Sequence, residues 1–170
     1  MSKTVAAVAR LRADLDQIPR SGERGYDRIM KLSELISDFD GLDDQEKIEL
    51  LVELSDELPA PSTGRTAGQQ SESCRVQECQ TPVFLWVDVI GGRVRIEADV
   101  PKKSPTVRGL VTLMVQGLTD ASPEEIAEIP DDMIGHLGLQ TALGMQRQQG
   151  FRGVIARIKR EVRKQAAAAS

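Results

Sequence analysis

Two adjacent glycines, Gly91-Gly92, lie between two short runs rich in β-branched residues, and this arrangement most constrains the fold. Residues 83–90 are apolar almost throughout. Residues 93–100 alternate: Val94, Ile96, Ala98 and Val100 fall on one side, Arg93, Arg95, Glu97 and Asp99 on the other. Two glycines accept the positive φ that tight hairpin turns need, so the runs are expected to pair antiparallel around them. The alternation describes a strand buried on one side only. Such a sheet has one face to cover, and the rest of the chain must cover it. Residues 75–78 leave room for a third strand, though their composition does not demand one.

The remainder reads as helix. Val5, Val8, Leu11, Leu15 and Ile18 predict a helix over 4–18, stopped at Pro19-Arg20-Ser21-Gly22. Ile29, Leu32, Leu35 and Ile36 predict a second over 26–39, broken by Asp40-Gly41. A third spans about 44–58 with Ile48, Leu51, Val52, Ser55 and Leu58 as its buried stripe, widened by Leu50 and Leu54. Asp43 or Asp44 can cap its first turn, and Pro59 and Pro61 end it. After the hairpin, Ser104-Pro105 opens a helix whose core face is Val107, Leu110, Val111, Met114 and Leu118. Ser122-Pro123-Glu124-Glu125 has the form of a capping box and starts a short helix ending at Pro130. Another covers 132–137. Residues 138–150 read as loop, anchored by Leu139, Leu143 and Met145, and the last helix runs from 151 to about 167, burying Phe151, Val154, Ile155, Ile158 and Val162. Helices, hairpin, helices is an α+β order, with helices packed on one face of a small antiparallel sheet.

Length and charge narrow the function. A chain of 170 residues with 40% hydrophobic content supports one domain, with room for an added arm. A net charge of −4 does not suggest a nucleic-acid binder. The charge is segregated: acids dominate from Glu34 to Glu57, and bases dominate from Arg147 onward, where Glu161 is the one acid. These read as solvated faces of two helices set opposite each other, or as a docking surface of mixed sign. No apolar run approaches the ~18 residues of a membrane span. The N-terminus carries Asp14 and Asp16 and lacks the apolar core of a signal peptide. Two cysteines do not make a secreted disulfide framework. A reducing cytoplasm is therefore expected, where a free thiol survives. Residues 60–73, rich in Pro, Ser, Thr, Gly and Gln, are expected to form a mobile loop leading into those cysteines.

Candidate chemistry is sparse. The chain has no evident catalytic carboxylate pair and no glycine-rich phosphate loop between a strand and a helix. His136 is the lone histidine, in an apolar helical setting, and reads as structural. Cys74-x4-Cys79 lacks the second half of a zinc site. That leaves the thiols. A cysteine beside an apolar strand is either a small core residue or a chemical handle. Cys79 stands at a strand start after a flexible loop, where it can be shielded in one loop conformation and presented in another. The thiolate is the working form, and a nearby cation favours it. Glu78 opposes a depressed pKa in the free protein, so a partner would have to supply the positive charge. Persulfide transfer needs only attack by a thiolate on a sulfur–sulfur bond.

The segment Arg75-Val76-Gln77-Glu78-Cys79-Gln80-Thr81-Pro82-Val83-Phe84-Leu85 resembles the active-loop motif of the SufE family, whose pattern is close to Gly-Cys-Gln-Ser-Gln-Val-Trp. Cys79, Gln80 and Val83 match, and Thr81 and Phe84 are close substitutions. Glu78 stands for the family's glycine and Pro82 for a glutamine. The helix running through Lys47-Ile48-Glu49-Leu50-Leu51 to Leu58-Pro59 is similar to the family's helix ending in Leu-Pro. Val107-Arg108-Gly109-Leu110 is similar to Val-Lys-Gly-Leu, residues 119–129 to the Thr-Pro-Glu-Glu-Ile region, and Arg147-Gln148-Gln149-Gly150-Phe151 to the element opening the last helix. Residues 1–33 have no counterpart.

The resemblance implies an α+β sandwich shared with IscU-type scaffold proteins, with a sulfur-acceptor domain over 34–170 and a helical extension over 1–33. It implies a persulfide carrier rather than an enzyme. Cys79 would take sulfur from a pyridoxal-phosphate cysteine desulfurase of the SufS type, stimulate that enzyme, and pass the sulfur to a SufBCD-type scaffold for iron–sulfur cluster assembly. Arg147 matches the family's late arginine and would face the partner together with Gln80, unless it serves as a cap or salt-bridge residue. No metal and no tightly bound cofactor is implied beyond the transient persulfide on Cys79. Cys74 lies outside the motif, as a bystander or as redox partner of Cys79 in a guarding disulfide. Two other readings stand beside this one. The first is an IscU-like iron–sulfur or metal scaffold, for which Cys74, Cys79 and His136 make a poor ligand set. The second is a helical adaptor with inert cysteines.

Overall fold

The hairpin forms as its glycines require. In the computed structural model, which describes residues 26–62, 64–65 and 72–169, β1 (Phe84–Ile90) pairs antiparallel with β2 (Arg93–Asp99), Val87 opposite Ile96 and Val89 opposite Val94. Gly91 and Gly92 take φ of 58° and 74°, the left-handed region that the two-residue turn demands. Leu85, Val87, Val94, Ile96 and Ala98 are buried on one face. The expected helix at 4–18 lies outside the described residues.

A two-stranded sheet exposes two edges, and here each is covered by hydrogen bonds along part of its length, which limits further strand pairing. Along β2, Asp120 N donates to the Val94 carbonyl at 2.6 Å, and Val94 N donates to the Ala121 carbonyl at 2.9 Å. Along β1, Val76 N donates to the Val83 carbonyl at 2.9 Å, and Arg75 forms a single bridge to Phe84. Residues 75–78 thus cap an edge rather than add a strand. At the far end of β1 the Gln165 side chain mimics a strand: its Nε2 donates to the Val87 carbonyl at 2.6 Å, and its Oε1 accepts from Val89 N at 2.8 Å.

The helices are α1 (Tyr26–Ser37), α2 (Asp44–Leu54, continued by a 3-10 turn at Ser55–Glu57), α3 (Pro105–Leu118), α4 (Pro123–Glu128), α5 (Met133–His136) and α6 (Met145–Ala168). α3 is the central helix, packed on β2, α1 and α2, and its run from Gly109 to Val115 is buried. Gly109 permits this, because a methyl there would collide with the Leu51 carbonyl of α2. Its neighbour Arg108 gathers the loose ends nearby, donating to the Ser55 carbonyl at 2.7 Å and the Val100 carbonyl at 2.6 Å. Both anticipated N-terminal caps form as capping boxes, Asp43 with Glu46 and Ser122 with Glu125. The result is an α+β fold with helices against one face of the hairpin. Among the described residues no helix is long and apolar enough to cross a membrane.

Four expectations need correction. The buried side of α2 is Leu50, Leu51 and Leu54, while Val52 is 39% exposed, because the face that meets α3 is set by the Gly109 contact. Residues 145–150 are not loop: α6 begins at Met145, with Gly144 as its N-cap. Gln148 closes that turn by donating to the Leu143 carbonyl at 2.7 Å and the Gln140 carbonyl at 2.9 Å. Met145 is therefore no anchor but is 86% exposed. Part of the stretch expected to be mobile is tied to the outer face of the hairpin, with Ser62 on Glu97 at 2.8 Å and Arg65 on Asp88 at 2.7 Å. Finally, no ion pair joins α2 to α6 among the described residues. Lys159 and Arg152 of α6 turn instead to Asp131 and Asp132, at 2.6 and 3.5 Å.

Candidate functional site

Cys79 sits at the tip of a short loop whose two ends, Val76 and Val83, are buried and joined by a backbone hydrogen bond. Two apolar residues fix the base of this loop in the core, so the polar stretch between them must arch outward. Cys79 N donates back to the Val76 carbonyl at 3.2 Å, which turns the tip inward. Cys79 ends up only 7% exposed.

α6 runs beneath this loop. Arg147, Gly150, Gly153 and Arg157 recur at helical spacing along one side. Arg157 is buried and donates to the Ser73 carbonyl at 2.5 Å and the Arg75 carbonyl at 3.3 Å, pinning the segment that enters the loop. Gly153 faces Glu78 and Gly150 faces Cys79. In front of the thiol opens a cleft of about 530 Å3. Its apolar wall includes Leu110, Val111, Phe151 and Val154, and Gln80, Met145 and Arg147 also line it. Arg147 lies exposed in the first turn of α6.

Burial pushes the Cys79 thiol up from 9.0 to about 11, and the Glu78 carboxylate adds to the rise. At rest the group is a protonated, shielded thiol and a poor nucleophile. Its chemistry depends on being uncovered or on meeting a positive charge.

Three of the residues singled out from the sequence thus share one cleft: Cys79, Gln80 and Arg147. Cys74 does not line it. It ends the 3-10 turn Glu72–Cys74, half-buried, and both cysteines are free thiols. His136 closes α5 and lines a separate cleft of about 280 Å3 with Leu32, Ile36 and Met133. Among the described residues no three His, Cys, Asp or Glu side chains stand close enough to hold a metal ion. Sequence reasoning missed Gly150, Gly153 and Arg157 as parts of the site. The available signal was a pair of glycines three apart in a helix, and reading residues 138–150 as loop concealed it.

Residues 33–162 match the family model of SufE, described as an Fe-S metabolism associated domain. An uncharacterized SufE-like protein of Mycobacterium tuberculosis is 37% identical over 134 residues, covering 78% of this chain and 91% of that protein. One from Rhizobium meliloti is 32% identical over 143 residues, covering 78% of this chain and 95% of its own. The solution structure of a hypothetical protein from Thermus thermophilus shares the backbone with a TM-score of 0.68 at 33% identity, over 81% of this chain and 96% of that one. The family model spans the hairpin and the Cys79 loop, and with a relative 37% identical over most of its own length the chain belongs to the SufE family, associated with Fe–S metabolism.

Proposed function

We propose that this protein is a sulfur carrier in which Cys79 accepts persulfide sulfur from a pyridoxal-phosphate cysteine desulfurase of the SufS type. It then hands that sulfur to iron–sulfur cluster assembly on a SufBCD-type scaffold in the cytoplasm. In this reading residues 34–170 are the acceptor domain and residues 1–33 an extension, and no resident cofactor is needed. The single observation that carries the reading is the placing of the Cys79 thiol against a cleft lined by apolar side chains, Gln80 and Arg147, in a chain of this family.

The chemistry balances without a further reagent. Cys79 loses its proton to solvent, and the thiolate attacks the terminal sulfur of the desulfurase persulfide. The sulfur–sulfur bond breaks, the desulfurase cysteine leaves as thiolate, and Cys79 holds the sulfur as a persulfide. Removing the sulfur frees the desulfurase cysteine, so the carrier raises turnover. A resting thiol pushed up to about 11 would react slowly on its own, so docking must uncover it or bring a cation near. In this reading Gln80 and Arg147, which line the cleft beside Cys79, face such a partner.

The test is to incubate the protein with a cysteine desulfurase and cysteine, then read intact and peptide masses without reductant. One added sulfur is expected on the peptide holding Cys79, absent from controls lacking enzyme or cysteine. Cys79→Ser should load no sulfur and Cys74→Ser should load normally. A Cys79→Ser protein that still stimulates the desulfurase fully would sink the direct-acceptor role.

A further inference from the structure

The underside of α6 changes character along the Cys79 loop. Arg157 holds the Ser73 and Arg75 carbonyls at the entrance. Nearer the tip there is no side chain at all. A methyl built on Gly153 would stand 2.7 Å from Glu78 Cβ, and one on Gly150 would stand 2.8 Å from Cys79 Sγ and 3.4 Å from Cys79 Cα. The sulfur occupies the space that a side chain at 150 would fill. The Glu78 contact is to Cβ itself and can be relieved only by moving the loop, whereas the Cys79 contact is relieved either by moving the loop or by turning the sulfur about χ1, which takes it out of this space.

We propose that Gly150 is a positioning residue whose missing side chain is the seat of the Cys79 sulfur, and that this seat, with Gly153 beneath Glu78, holds the thiol in its shielded state. The functional meaning of the seat rests on the acceptor role proposed above; the seating itself does not. The base of the loop stays tied by Arg157 and by Val76 N to the Val83 carbonyl, so a methyl at 150 turns the sulfur out of its seat or lifts the tip, and leaves the base. One backbone bond, Cys79 N to the Val76 carbonyl, opposes that lift. Burial is the larger cause of the raised thiol pKa, so unseating the sulfur makes the thiolate more available near neutral pH. Alanine at an unencumbered helical glycine favours the helix, so destabilisation here would report the collision.

The experiment compares full-length wild type with Gly150→Ala. Iodoacetamide alkylation of Cys79 is followed by peptide mass against pH, with Cys74 as internal reference. Cys79 is expected to react about tenfold faster, the gain for a fall of one pKa unit, with its profile moved to lower pH and Cys74 unchanged. A folded Gly150→Ala protein whose Cys79 keeps the wild-type rate and profile overturns the inference. Should that variant not fold, Gly150→Ala combined with Cys79→Ala decides, because removing the sulfur clears the closest contact. The double variant is then expected to fold, and one that also fails to fold overturns the seat. No desulfurase enters these measurements. Absent sulfur loading would defeat the carrier and leave the seat standing, and unchanged alkylation would do the reverse.

Discussion

At Cys79 two surroundings act in the same direction. Withdrawal from water disfavours the thiolate most, and the Glu78 carboxylate disfavours it further, so the group titrates at about 11 instead of 9.0. Alkylation of Cys79 should therefore keep rising with pH well past the range of an ordinary thiol. Glu78→Gln should shift that profile down only in part, because the larger cause remains. A full return to the ordinary thiol range in Glu78→Gln would make charge, not burial, the larger cause. The same shift bears on stability. The native thiol holds its proton more tightly than the unfolded chain does, so its contribution is complete below about pH 9 and is lost as pH rises toward about 11. Cys79→Ser removes that titration, so the difference between its Tm and that of wild type should change across this window and stay flat below it. Cys79 was legible in the sequence because a thiol is rare in this chain and stands just before its most apolar strand. Gly150 and Arg157 were not, because each acts on a segment far away in the chain, and the one local sign, glycines three apart at 150 and 153, shows only once the helix is known to start at Met145.

Whether an element could be read from the sequence follows how local its cause is. The Gly91-Gly92 turn and the boxes at Asp43 and Ser122 are set by residues within one turn of each other; the turn and the Ser122 box formed where the sequence placed them, and of the two candidates Asp43 and Asp44 it is Asp43 that caps α2. The buried face of α2 is different. Leu50, Leu51, Val52 and Leu54 offer apolar surface over much of the helix, and only the approach of α3 at Gly109 selects among them. Gly109→Ala should thus destabilise the protein by about 3 kcal/mol, the upper range for forced overpacking, although helix propensity alone favours alanine by about 1 kcal/mol. Chemical denaturation measures the sign directly, and a variant as stable as wild type would mean that α2 and α3 can separate at little cost. Ser122→Ala provides a local comparison: losing its half of the capping box should cost about 1 kcal/mol without disturbing the α2–α3 contact.

On the scale of the whole molecule, α6 is the member that joins chemistry to fold. It supplies one wall of the cleft, it underlies the Cys79 loop, and its far end closes the edge of β1 through Gln165. The two attachments are separate. Arg157 holds carbonyls at Ser73 and Arg75, whereas Gln165 holds Val87 and Val89. Arg157→Met keeps the apolar stem and removes the Arg157 hydrogen bonds to those carbonyls, at about 1 kcal/mol each. Amide exchange at Val76 and Cys79 should accelerate about fivefold or more, with β1 and β2 unchanged. Gln165→Ala should accelerate exchange at Val89 and leave Cys79 at its wild-type rate. That pattern would mean the loop opens on its own while the sheet stays closed, so a partner can uncover the thiol at modest cost. If either substitution loosens both regions together, the sheet and the loop open as one cooperative unit through α6. Presenting Cys79 would then require the partner to bind strongly enough to offset the loss of the sheet edge as well.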